Sequence, residues 1–183
     1  LAVISTAGSE PEGGVAVPLY RWRRLVLIPR THPLAKLKRA PTLAELAAHP
    51  LVSYESSTRA ESSLRRTFVE AGLEPQLAMT ARDADLIKTY VRAGLGVGVL
   101  AEMAVGARDE DLVALPAPDA LPECITWAVI PRARVLREYA LALLHGIAPQ
   151  LDRRDLRRVL EGNLEPQWPQ APSWRELSQP ITT

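Results

Sequence analysis

Between Thr80 and Ala104 the chain reads TARDADLIKTYVRAGLGVGVLAEMA, and this stretch constrains the fold more than any other. Asp83 or Asp85 is placed to accept from the free N–H groups of a first helical turn. Leu86, Ile87, Tyr90 and Val91 recur at helical spacing and give the helix one apolar face. Gly94 supplies the left-handed residue that ends a helix. Val97, Val99 and Leu100 follow as a short buried strand, with Gly96 and Gly98 allowing close backbone approach. A strand, helix, strand order implies a parallel crossover, hence an α/β fold. In such sheets ligands sit beyond the strand C-termini, so the turn at Arg82–Asp85 is the first place to look for a site. The glycines are spaced G-x-G-x-G and lie after a helix, the reverse of a dinucleotide-binding turn; a helix stop and a tightly packed strand explain them.

The remaining elements alternate in the same way. Leu1–Ser5 reads as a buried strand ending in the hydroxyls of Ser5 and Thr6, followed by a Gly-rich loop over Ala7–Gly14. Val15–Leu19 and Leu25–Ile28 read as strands, and Pro29 stops the second. Thr42 and Glu45 have capping-box spacing, so a short helix is expected to about Ala48, with Pro50 forcing the exit. Leu51–Tyr54 is a strand. Thr58 and Glu61 form a second capping box, for a helix presenting Leu64, Phe68 and Val69 and ending at Gly72. Gln76–Thr80 is the strand that feeds the central unit. Asp109–Leu121 is acidic and proline-rich, hence a loop containing the run Leu112–Leu115. Ile125–Ile130 is a strand, and Val135–Ile147 is an amphipathic helix built on Leu136, Tyr139, Leu143 and Ile147. Leu151–Glu161 is one more helix with its arginines in water. Gly162–Thr183 is an irregular tail, mobile unless Trp168 and Trp174 dock.

Several function classes are disfavoured by composition. With 22 basic and 21 acidic residues the chain carries a net charge of +1, which gives no electrostatic footprint for nucleic acid. Cys124 is the only cysteine, so neither an internal disulfide nor a multi-cysteine metal site is expected. It reads as a small buried residue, since no basic neighbour lowers its pKa. No run reaches the roughly 18 apolar residues of a membrane helix. There is no G-x-S-x-G elbow and no H-E-x-x-H, and His32, His49 and His145 sit at turns or a helix end. No catalytic residue, metal or cofactor is expected.

Anion binding is the better case. Ser5–Thr6, Ser56–Ser57–Thr58 and Arg82–Ala84 occupy strand-to-loop or loop-to-helix positions, and two of the three open onto expected helix N-termini. Hydroxyls and N–H groups suit a small oxyanion or carboxylate. Arg59 or Arg82 would add a charge-assisted bond. A plainer reading stands beside this one: Thr58 is an N-cap and Ser56–Ser57 a solvated loop.

DADLIKTYVRAGLGVGVLAEMAV, together with LIPRTHPLA at Leu27–Ala35, LAELAAHPLVSY at Leu43–Tyr54 and PLYRW at Pro18–Trp22, resembles the effector-binding region of LysR-type transcription regulators. Within them it is most similar to the CysB-like regulators of cysteine and sulfur metabolism, over roughly Leu1–Gln150. That resemblance implies a two-lobed fold like that of type II periplasmic solute-binding proteins, with an effector cleft between lobes. Leu1–Trp22 would begin the first lobe, residues 23–126 would form a complete second lobe, and residues 127–150 would return to the first. Residues 151–183 would add a C-terminal helix and an irregular tail. The first lobe would be partial, its opening elements lying upstream of Leu1 beside a helix-turn-helix domain and its linker.

The same resemblance implies a small anionic effector, sulfate or an O- or N-acetylserine-like molecule. By position Ser5 matches the family's ligand threonine, Trp22 its tryptophan at the lobe crossing, and Ala84 the residue donating a backbone N–H. Ser56, Ser57, Thr58 and Arg59 match its hydroxyl loop. Here the chain reads ESSTRAE where the family pattern is TFGFTGR, so the family threonine falls on Thr58 or Arg59 and Glu55 adds a negative charge. DNA would be bound only through the upstream domain, by a homodimer or homotetramer, in the cytoplasm and away from membranes. A solute-binding protein of a transporter shares this architecture; a helix-turn-helix or a signal peptide upstream of Leu1 distinguishes the two.

Overall fold

In the computed structural model, which describes residues 1–132 and 136–178, the chain divides into two units. One comprises Leu1–Trp22 with Glu123–Thr183, the other Arg23–Pro122. The strands are β1 (Ala2–Thr6), β2 (Val15–Trp22), β3 (Arg24–Pro29), β4 (Leu51–Tyr54), β5 (Leu77–Ala81), β6 (Val97–Ala101), β7 (Leu112–Pro116) and β8 (Cys124–Ile130). The helices are α1 (Leu43–Ala47), α2 (Ser63–Glu70), α3 (Ala84–Arg92), α4 (Glu138–Ile147), α5 (Arg153–Leu160) and α6 (Trp174–Ser178). The class is α/β, as the alternation of elements implies.

The Arg23–Pro122 unit is a mixed sheet in the order β5-β4-β6-β3-β7. β4 runs parallel to both β5 and β6, whereas β3 is antiparallel to β6 and β7. Strand alternation builds two cores. Val26, Ile28, Leu51, Val97 and Val99 face one way and meet Leu46 of α1 and Leu64 and Phe68 of α2. Leu27, Val52 and Leu100 face the other way and meet Ile87 and Val91 of α3. Each fully buried side chain of this kind contributes about 1.5–3 kcal/mol. A Cβ on Gly96 would lie 2.6 Å from the Pro50 carbonyl oxygen, and one on Gly98 would lie 2.8 Å from Val91 Cγ2. These two glycines let β6 seat against the segment before β4 and against α3. Gly94 closes α3 at a φ of 74°.

Four local expectations need correction in this unit. The second capping box does not form: Thr58 ends a 3-10 turn at Glu55–Thr58 and donates to the Glu55 carbonyl. α2 starts later, and Ser62 caps it by accepting from Arg65 N–H. On that later start Thr67 turns inward and Val69 outward. Leu86 lies towards solvent on α3, where Ile87 and Val91 are buried against the sheet and Ala84 and Tyr90 pack beside them. Leu112–Leu115 is not loop but part of β7, whose antiparallel pairing with β3 overrides the flanking prolines.

The other unit is a three-stranded antiparallel sheet in the order β1-β8-β2. Val15, Val17 and Leu19 alternate onto one face with Ala128 and Ile130, under Leu141 and Leu144 of α4 and Leu156 and Val159 of α5. The expected apolar face of α4 is the wrong one: Tyr139 and Leu143 are exposed, and Leu141 and Leu144 are buried. The helix begins at Glu138, and Val135 lies outside the described residues. β1 is not buried either, for among the described residues it pairs only with β8, and Val3 is left 60% exposed. The tail docks by its tryptophans: Trp168 Nε1 donates to the Ala16 carbonyl at 2.8 Å, and the Trp174 ring lies 5.5 Å from that of Tyr20. Arg21 N–H donates to the Pro172 carbonyl, so the tail occupies the outer edge of β2. Among the described residues no helix is long and apolar enough to cross a membrane.

Candidate functional site

The parallel register of β4 and β5 sets Tyr54 beside Ala81. The segments that follow these two residues, Glu55–Thr58 and Arg82–Ala84, therefore leave the sheet side by side at its C-terminal edge. Arg82 Nε donates to Glu55 Oε1 at 3.4 Å, an exposed ion pair that links the two. Asp83 is the N-cap of α3 and its Oδ1 accepts from Leu86 N–H at 2.8 Å. Ala84 opens the helix, where α-helical geometry provides no intrahelical acceptor for its N–H. Burial comes first in raising the Tyr54 phenol above its ordinary value, so Tyr54 stays neutral beside these loops.

Hydrogen bonding sorts the hydroxyls of this edge. Ser53 Oγ donates to the Val99 carbonyl at 2.8 Å, so the 3.0 Å contact between Ser53 and Ser57 uses the Ser57 proton. Thr58 spends its proton on the Glu55 carbonyl at 2.7 Å. Ser57 and Thr58 are thus left as acceptors through their side chains. Among the described residues the exposed Ser56 hydroxyl and Arg59 guanidinium make no bond to the protein, and both remain available as donors.

In the other unit Ser5 and Thr126 stand directly opposite each other on β1 and β8, with their hydroxyls 2.9 Å apart. Trp22, at the end of β2, donates its indole N–H to Thr126 Oγ1 at 3.1 Å. Thr6 is one residue on and faces the other side of the sheet. There it accepts from Trp127 Nε1 at 2.9 Å and donates to the Ser9 carbonyl at 2.6 Å. Ser5 and Trp22 therefore share one hydrogen-bonded row, and Thr6 belongs to another. Thr126 escaped sequence reasoning. Its signal was a single hydroxyl inside the apolar run CITWAVI, paired with a serine 121 residues earlier whose register the sequence alone does not give.

These donors suit a small acceptor ligand, and the fold is that of an α/β ligand-binding domain. Residues 1–152 match the LysR substrate binding domain family. The chain belongs to that family, the effector-binding domains of LysR-type transcription regulators. It is 34% identical over 167 residues to the HTH-type transcriptional regulator CysB of Burkholderia cenocepacia, covering 90% of this chain and 53% of that protein. It is 41% identical over 139 residues to CysB of Haemophilus influenzae, covering 76% of this chain and 43% of that protein. The crystal structure of the cofactor-binding domain of the Cbl transcriptional regulator aligns with a TM-score of 0.72 at 31% identity, covering 80% of this chain and 64% of that one. The chain spans about half the length of the curated relatives it matches. These relatives are regulators, which does not favour the transporter reading.

Proposed function

We propose that this chain is the effector-sensing part of a cytoplasmic, DNA-binding regulator of sulfur assimilation and cysteine biosynthesis, and that its effector is a small anion such as sulfate, O-acetylserine or N-acetylserine. The observation that carries this reading is 34% identity to a CysB regulator over 90% of the chain. The two units correspond to the two lobes of the family's effector domain. The ligand donors are Ser5, with Trp22 beside it, in one unit, and Ser56, Arg59, Arg82 and the Ala84 amide in the other. Thr6, Ser57 and Thr58 act through backbone amides or as acceptors, since their hydroxyl protons are engaged. No reaction is assigned to the domain. DNA is bound by a separate helix-turn-helix domain in a homodimer or homotetramer. An effector with different affinity for two arrangements of that assembly shifts their populations and so the DNA complex.

The test is a gel shift with the intact protein and promoter DNA of cysteine-biosynthesis genes, with and without sulfate, O-acetylserine and N-acetylserine. The reading predicts a change in the complex with at least one of them, and a weakened response in Ser5→Ala. Identical complexes under all conditions contradict it.

A further inference from the structure

We propose that Thr126 is a positioning residue that turns the Ser5 hydroxyl proton outward, and so favours an accepting ligand group such as an oxyanion; this rests on the effector reading above. Thr126 is 4% exposed, so its hydroxyl cannot turn to solvent. A threonine hydroxyl has one proton and two lone pairs. Trp22 Nε1 carries a hydrogen and no acceptor, so at 3.1 Å Thr126 must accept from it. The Thr126 proton then needs an acceptor, and Ser5 Oγ at 2.9 Å is its one remaining side-chain partner. Thr126 therefore donates to Ser5. With that contact occupied, Ser5 directs its own proton outward, on the exposed end of β1.

Trp22, Thr126 and Ser5 thus form a row in which every hydrogen bond points the same way. Donors in such a chain polarise one another, so the last is stronger than an isolated serine. The strand register holds the row together. Ser5 is opposite Thr126 across one ladder, and Trp22 lies two residues beyond Tyr20, the partner of Thr126 across the other. A ligand group that accepts takes the outward Ser5 proton and completes the row, whereas one that can only donate leaves that proton unused.

The test uses the intact protein and a double-mutant cycle read by calorimetry with sulfate and N-acetylserine as probes. Thr126→Val keeps the shape and removes the relay; it should weaken binding about tenfold. Thr126→Ser restores the hydroxyl and should bind within about twofold of the wild type. In a Ser5→Ala background Thr126→Val should add little, because the two residues act as one unit. Equal losses in both backgrounds, or no loss from Thr126→Val, overturn the proposal. A second readout needs no ligand: the Trp22 indole N–H resonance should move in Thr126→Val and stay near its place in Thr126→Ser. An unmoved indole signal also overturns it. Wild-type protein that binds neither probe overturns the effector reading and this proposal with it, and the indole signal then tells the loss of the ligand apart from the loss of the row.

Discussion

The Ser57 hydroxyl lies 3.0 Å from that of Ser53, which passes its own proton to the Val99 carbonyl on β6. Ser57 is 8% exposed and therefore ties the loop after β4 to the sheet. Ser57→Ala is expected to lower stability by about 1 kcal/mol, the net worth of an ordinary hydrogen bond. Sulfate or acetylserine affinity should change less than twofold on the same substitution, since the Ser57 proton points inward. Urea unfolding and calorimetric titration check the two halves.

Gly96→Ala should be destabilising by about 1–3 kcal/mol. Its Cβ would come within 2.6 Å of the Pro50 backbone oxygen, which cannot rotate away. Ile87→Ala should cost about 2–5 kcal/mol, since Ile87 is fully buried between α3 and the sheet. The urea midpoint should fall in both cases, with an unchanged slope.

Acid should weaken the Arg23–Pro122 unit in a defined window. Glu45 is held down to about 2 from an ordinary 4.5, first by the Arg39 guanidinium and then by the Thr42 amide of the capping box. A carboxylate with a depressed folded pKa stabilises the fold above its unfolded pKa. Its contribution is lost as pH falls from 4.5 towards about 2. Asp109 acts in the same direction. Burial alone would raise it, but the Gly106 amide, Lys88 and Arg92 together hold it below its ordinary value. Stability followed from pH 7 downward should be flatter in Glu45→Gln across this window. Asp109→Ala should cost about 3 kcal/mol at neutral pH, because it strips Lys88 of a buried partner 3.0 Å away.

Much of the fold was legible because local chemistry and packing agree there. The Asp83 cap, the Gly94 exit, the Thr42–Glu45 box and the close-packed glycines of β6 all form as their residues require. Misreadings fall where long-range contacts decide. Leu112–Pro116 is a strand because β3 offers an edge. Thr58 has the spacing of a cap, yet it ends the 3-10 turn Glu55–Thr58, and the first turn of α2 forms where Ser62 accepts from Arg65 N–H. On α4 the apolar residues Leu141, Leu143 and Leu144 encircle the helix, so periodicity does not reveal which of them meets β8. For the candidate site residues, the sequence does not tell where each hydroxyl proton goes. That depends on Ser53, which passes its proton to Val99 on β6, and on Thr126 and Trp127, which reach Ser5 and Thr6 from β8.

Ser5 is the central donor to the proposed small anion. The most direct measurement is a calorimetric titration of the intact protein with sulfate, O-acetylserine and N-acetylserine, beside Ser5→Ala and Arg59→Ala. Binding of at least one anion is predicted, with each substitution weakening it about tenfold or more, as a lost hydrogen bond to a charged ligand requires. Unchanged affinity in both variants, or no binding of any of the three by the wild type, would contradict the account.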